Sequence, residues 1–305
     1  MSSAFVFPGQ GSQLVAMGSD FYDQSETFRN TLQEASDALE YDLWKIIKEN
    51  SDDQLNQTQF TQPALLAVSI GIYRSYLDRG GVKPVAVSGH SLGEYSALVA
   101  AGVIDFADAI RLVGARGKFM QEAVPAGEGA MAAVMGLDLG EIQRICAESQ
   151  GVVEAANLNA PGQIVIAGSK ESVVNVLPLL KEAGAKRAIE LPVSVPSHCS
   201  LMRPAAEKLE EMLSGIALSA PSIDVVHNVS AMTESDLNAV KLLLVEQLYS
   251  PVRWVDCIEK LKDLGAQRLI ECGPGKVLAG LTKRIDRSLA CSSLGSLDSM
   301  SEVLG

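Results

Sequence analysis

A serine, a histidine and an arginine set far apart in the chain have the types and settings that acyl chemistry needs. Ser91 lies at the centre of Gly89-His90-Ser91-Leu92-Gly93, preceded by the apolar run Val85-Ala86-Val87. A Gly-x-Ser-x-Gly turn from a buried strand into a helix strains the serine backbone and lifts its hydroxyl above the sheet edge. The following N–H and the helix N-terminus then face any oxyanion formed there. Ser91 is the candidate nucleophile; the alternative is a glycine-permitted turn whose serine only caps the helix. A serine nucleophile needs a base, and the chain has three histidines. His90 adjoins Ser91 in the turn, where neighbouring side chains diverge, and reads as a packing residue. His227 follows the apolar stretch ending at Val226 and reads as a strand-end residue. His198, in Val193-Ser194-Val195-Pro196-Ser197-His198, is left as the candidate base.

Arg116 falls in a helix expected over 106–124. At about 100° per residue, Phe106, Ile110, Val113, Gly117, Met120 and Val124 form one stripe, and Arg116 lies roughly 80° from its centre, bordering the core. It is either a fork for a substrate carboxylate or a snorkelling or salt-bridged arginine.

The elements that must position these residues follow from periodicity. Ala4–Phe7 is a short apolar strand that exits into Pro8-Gly9-Gln10-Gly11-Ser12-Gln13, a loop at the strand end where open α/β sheets bind ligands. Helical spacing recurs at Phe28, Leu32, Ala35 and Leu39, and again at Leu43, Ile46 and Ile47. Gln62-Pro63 opens a strong helix that stops at Gly80-Gly81. After Pro125-Ala126-Gly127-Glu128-Gly129 the rhythm changes to strand, helix, strand, strand, helix, strand, the order of a ferredoxin-like unit. Asn157 through Gly162 is expected as the turn between its second and third strands, which places Asn159 on a loop. Further on, helices are expected over 202–212 and 254–264 and a strand over 268–271. Gly273-Pro274-Gly275-Lys276 lacks phosphate-loop spacing and reads as a turn, and the small, polar tail from Ser292 is expected to fray.

Composition excludes several classes. With 47% hydrophobic and 20% charged residues, the chain can bury a large core. A net charge of −12 without a clustered Lys/Arg excess argues against nucleic acid as a partner. No stretch approaches the roughly 20 apolar residues of a membrane span. Five scattered cysteines without metal spacing, and an N-terminus without a signal-like pattern, lead to the expectation of a cytoplasmic protein.

Four stretches together resemble the free-standing malonyl-CoA:acyl carrier protein transacylases of fatty-acid synthesis. They are Phe7-Pro8-Gly9-Gln10-Gly11-Ser12-Gln13, Gly89-His90-Ser91-Leu92-Gly93-Glu94-Tyr95, Val195-Pro196-Ser197-His198 and Gln247-Leu248-Tyr249-Ser250-Pro251-Val252-Arg253-Trp254. The resemblance spans essentially the whole chain. It implies an α/β fold: a hydrolase-like large domain with a parallel sheet, formed by 1–124 and 196–305, and an inserted ferredoxin-like small domain over 125–195. It also implies ping-pong transfer of malonyl through Ser91, with His198 as base and the backbone N–H groups of Gln10 and Leu92 as oxyanion hole. Arg116 would pair with the malonyl carboxylate, and the main-chain carbonyl of Gln247 would orient His198 in place of an acid. His90 and Asn159 would line the pocket. No cofactor is implied beyond the substrates, malonyl-CoA and a phosphopantetheinylated acyl carrier protein, and a monomer is expected. The acidic carrier would need a local basic patch, for which Lys186-Arg187 and Lys283-Arg284-Arg287 are the candidates. The competing readings are a serine esterase or thioesterase using water, a non-catalytic carrier-binding module, and a polyketide-pathway acyltransferase.

Overall fold

The computed structural model describes residues 2–193 and 195–305, so Ser194, in the segment leading to His198, and Met1 lie outside the described residues. Nine strands appear in chain order: β1 (Ser3–Phe7), β2 (Ala86–Gly89), β3 (Gly129–Met135), β4 (Val153–Ala160), β5 (Gln163–Ser169), β6 (Arg187–Glu190), β7 (Asp224–Val226), β8 (Arg268–Glu271) and β9 (Ala290–Ser293). They form two sheets. One is five-stranded, ordered β7-β2-β1-β8-β9, and every pairing in it is parallel. The other is four-stranded, ordered β4-β5-β3-β6, and every pairing in it is antiparallel.

The central strands of the parallel sheet, β1, β2 and β8, are buried on both faces, as helical crossovers require. Strand alternation sorts β1 accordingly: Phe5 and Phe7 enter one core with the helices Glu26–Leu39 and Thr58–Asp78, while Ala4 and Val6 enter another with Trp254, Ile258 and Leu278. The antiparallel sheet covers one face with the helices Leu139–Glu148 and Lys170–Glu182. Its other face, through Met131, Ala156, Val165 and Ala167, packs on Cys199, the neighbour of His198. Strand β4 is tied to the segment before the helix Trp254–Asp263 by Leu158 N donating to Val252 O (2.9 Å) and Val252 N to Ala156 O (2.9 Å). None of the described helices is long and apolar enough to cross a membrane.

Three expectations are corrected. The helix expected to open at Gln62-Pro63 begins at Thr58. Proline costs a helix one backbone bond, but here the extra turn is held from outside: Thr61 Oγ1 donates to Leu55 O (2.6 Å), and Thr58 lies against Gly117, where a Cβ would stand 2.6 Å from Thr58 O. The expected turn 157–162 is a turn only at its end, because β4 continues through Ala160 with two register shifts against β5. The bridge to Val252 draws Asn157 and Leu158 into strand geometry despite the turn propensity of the asparagine. The tail does not fray. Cys291 and Ser292 extend the sheet as β9, and the helix Leu297–Leu304 carries a Ser296/Ser299 capping box and buries Leu297 and Met300.

Met300→Ala is accordingly expected to lower unfolding free energy by roughly 2–5 kcal/mol in chemical denaturation. A frayed tail would leave it within about 0.5 kcal/mol of wild type.

Candidate active site

Register places the site. Phe7 on β1 stands opposite Gly89 on β2, so the glycine-rich loop and the serine turn leave the same end of the parallel sheet. The two segments touch. A Cβ on Gly93 would stand 2.0 Å from Phe7 O, and one on Gly9 would stand 2.3 Å from His90 O and 3.8 Å from Leu92 N. Only glycine permits this approach, and it brings the Gln10 loop beside the start of the helix Gly93–Ala100. Ser91 takes a left-handed φ of 52°. Its own N–H donates to Asn228 Oδ1 (2.8 Å), whereas the N–H groups of Leu92 and Gln10 donate to no backbone carbonyl among the described residues.

His198 also has a left-handed φ, 65°, and is buried. Its backbone N–H donates to Leu248 O (2.9 Å), and its ring bridges Gln247 O (2.7 Å from Nδ1) and Ser91 Oγ (2.7 Å from Nε2). A carbonyl oxygen only accepts, so Nδ1 carries the proton and Nε2 is free to accept from the Ser91 hydroxyl. Burial first, and then the nearby Arg116 charge, lower the His198 pKa to about 3. The imidazole is therefore neutral at neutral pH.

Arg116 is 1% exposed, deeper than its helical angle implied. Nη1 donates to Gln62 Oε1 (2.8 Å), Nη2 to Gln247 Oε1 (3.0 Å) and, at 3.4 Å, toward Ser91 Oγ, and the guanidinium lies over the Tyr95 ring. Nε has no partner, and among the described residues no carboxylate lies within 4.0 Å of the group. It is neither snorkelling nor salt-bridged. Burial lowers its pKa, yet a guanidinium remains a cation at neutral pH. Ser91, His198 and Arg116 open on one cavity of about 230 Å³, walled also by Met120, Met131 and Val195.

His90 lines this cavity, with its ring edge-on to Trp254 and Nε2 2.8 Å from Asn159 Oδ1. Asn159, on β4 rather than a turn, bonds to His90, while Asn157 of the same strand reaches the cavity wall.

Three polar residues missed in the sequence complete the site. Glu94, 1% exposed, accepts from His227 Nδ1 (2.7 Å), Asn228 N (3.0 Å) and Gln247 Nε2 (2.7 Å). Gln62 and Asn228 are equally buried. Asn228 had a readable signal: it follows an apolar strand, as Ser91 does, and so emerges at the same sheet edge. Glu94 had one too, a lone acid among small and apolar residues on the helix that leaves the serine turn. Gln62 had none, because it meets Arg116 only through the packing of two helices.

Comparison with known proteins agrees with this geometry. A family model described as an acyl transferase domain matches residues 4–298. The chain is 53% identical over 303 residues to a malonyl CoA-acyl carrier protein transacylase of Escherichia coli (strain K12), covering 99% of this chain and 98% of that protein. A solved structure of an acyl carrier protein S-malonyltransferase from Vibrio cholerae superposes with a TM-score of 0.97 at 51% identity, covering 99% of this chain and all of that one. A malonyl-transacylase solved in complex with a type II PKS acyl-carrier protein superposes with a TM-score of 0.98 at 50% identity, covering 100% of this chain and 99% of that one. By its sequence and its fold alike, the chain belongs to the acyl transferase family.

Proposed function

We propose that this protein moves a malonyl group from malonyl-CoA to the phosphopantetheine thiol of an acyl carrier protein, through a malonyl ester on Ser91. The observation that carries the reading is a buried, charged Arg116 with no carboxylate in contact among the described residues, 3.4 Å from Ser91 Oγ. A malonyl thioester has its carboxylate one methylene from the carbonyl carbon, so an anion at Arg116 leaves that carbon at Ser91 Oγ. An acetyl donor would leave the cation uncompensated.

Ser91 Oγ attacks the thioester carbon as its proton passes to His198 Nε2, and the Gln10 and Leu92 N–H groups receive the oxyanion. Collapse breaks the C–S bond, and the departing coenzyme A sulfur takes the proton from Nε2. The pantetheine thiol then repeats the sequence in reverse. Gln247 O keeps the imidazole in the required tautomer without an acid. Neutralising Arg116 with the donor carboxylate removes one of the causes that depress the His198 pKa, so the base strengthens once the correct donor is bound. His90 shapes the wall facing the acyl group; Asn159, expected there too, stands behind it and acts only through its bond to the His90 ring. The esterase reading lacks support, since an uncharged ester gives Arg116 no partner.

The same reading takes 1–124 and 196–305 as a hydrolase-like catalytic domain and 125–195 as a ferredoxin-like one. Its support is the parallel sheet beneath Ser91 and the β4-β5-β3-β6 order of the inserted sheet. The carrier docks on a basic patch. Lys186, Arg187, Lys283, Arg284 and Arg287 are exposed and, among the described residues, none has a carboxylate within 4.0 Å. Both clusters meet at the β4–β5 turn: Lys186 packs at Gly136, whose N–H donates to Gly162 O (2.8 Å), and Arg284 Nη1 donates to Gln163 Oε1 (2.8 Å). Five cysteines, all unbridged, suit a cytoplasmic setting.

Intact-mass spectrometry after brief mixing with malonyl-CoA is expected to give a malonyl adduct that Ser91→Ala abolishes and Arg116→Ala weakens selectively. Equal labelling of wild type by acetyl-CoA would remove Arg116 from its role. The base must be unprotonated to act, and a pKa lowered from 6.5 keeps it so in mild acid. Acylation kcat/KM should therefore stay flat from about pH 8 to about pH 5; a fall centred near 6.5 would contradict His198 as the buried base. Charge reversal at Lys186, Arg187 and Arg284 should raise KM for the carrier about tenfold while leaving acylation by malonyl-CoA unchanged. An unchanged carrier KM would refute the docking patch.

A further inference from the structure

We propose that Asn228 is a positioning residue for the nucleophile, its carboxamide standing in for a missing strand peptide that holds Ser91 in its left-handed conformation. The inference rests on Ser91 being the acylated residue. Strand β2 is paired with β7 only as far as Ser88, opposite Val226, so the backbone beyond it has run out of ladder. In a parallel sheet one residue of the neighbouring strand bonds a carbonyl and the N–H two residues further on. The Asn228 side chain makes this pair of bonds. Nδ2 donates to Gly89 O at 2.7 Å, and Oδ1 accepts from Ser91 N at 2.8 Å.

The clip is itself immobilised. Asn228 is fully buried; its backbone N–H donates to Glu94 Oε2 (3.0 Å) and its carbonyl accepts from Arg253 N (3.0 Å). Gln247 Nε2 lies 3.3 Å from Oδ1, so the carboxamide has donors on its oxygen side and an acceptor on its nitrogen side. That pattern permits one orientation. Without the clip, the Ser91 N–H and Gly89 carbonyl lose their partner, and the φ of 52° is left to the bonds on the Ser91 carbonyl from Gln247 Nε2 (3.0 Å) and Glu94 N (3.1 Å) alone. Because Ser91 N is committed to Asn228, the oxyanion donor on this side is Leu92 N–H, and the clip also fixes where that group points. An aspartate of the same length would set an oxygen against Gly89 O.

The test compares Asn228→Ala and Asn228→Asp with Ser88→Ala. Ser88 Oγ donates to Val226 O (2.8 Å), so its loss removes one buried bond between the same strands without touching the turn. Single-turnover acylation by malonyl-CoA, and phosphorylation of Ser91 by the uncharged diisopropyl fluorophosphate with release of fluoride, should both fall about 100-fold in the Asn228 variants. KM for malonyl-CoA should hold, and Ser88→Ala should react like wild type. Amide exchange supplies a measurement that needs no variant: in the wild-type protein the Ser91 N–H should be among the slowest to exchange. A folded Asn228 variant with wild-type reactivity, a loss confined to the malonyl donor, a loss shared by Ser88→Ala, or rapid exchange of the Ser91 amide would each overturn the proposal. Failure of wild type to be labelled at Ser91 would instead remove the nucleophile itself.

Discussion

A guanidinium taken out of water with no carboxylate in contact among the described residues is the constraint on which this structure depends. Moving an isolated cation into a protein interior is costly, and chains usually offset that cost by pairing it with an anion or leaving it a path to solvent. Arg116 has neither. Two neutral amides, Gln62 and Gln247, and the face of Tyr95 carry it. A compensating charge, Glu94, stands one amide further away through Gln247 Nε2. A carboxylate placed directly on Arg116 would satisfy it and close the site to anions. Set one residue back, Glu94 steadies the charge without occupying its remaining donors.

Gln247 links this arrangement to the rest of the site. Its side chain joins Arg116 to Glu94 and also reaches Ser91 O, while its main-chain carbonyl fixes the tautomer of His198. Arg116, the His198 ring and the Ser91 backbone therefore share one residue and one buried hydrogen-bond network. Such networks are rigid because any rearrangement strands a polar group in a low-dielectric interior. Rigidity here has a use: Ser91 and His198 both have backbones at positive φ, which persist only where the surroundings over-determine them.

The cleft depends on a second, weaker tie. Strand β4 belongs to the antiparallel sheet, yet it bridges to Val252, just before the helix whose Trp254 packs against His90. Through Asn157 at the cavity wall and Asn159 on His90, the antiparallel sheet contributes to the cavity onto which Ser91 and His198 open. The segment that carries His198 is tied to the same sheet, with Cys199 packed on its face and Ser200 donating to Glu154 of β4.

Local chemistry alone determined much of this protein. Period-2 and period-3.6 patterns placed most strands and helices, the glycines about Ser91 announced a turn that only they permit, and a count of three histidines narrowed the base to one. These features were legible because each is written in contiguous residues. Where local propensity competed with packing, the reading failed. Pro63 argued for a later helix start, Asn157 and Asn159 for a turn, and the small residues after Ser292 for a loose end, and in each place contacts from distant segments prevailed. The identity of the partners of Arg116, and the roles of Gln62, Glu94 and Asn228, were decided only by the tertiary structure. A buried polar group must find its complement within about 3 Å, and which residues stand that close is set by how the elements pack, not by where they lie in the chain.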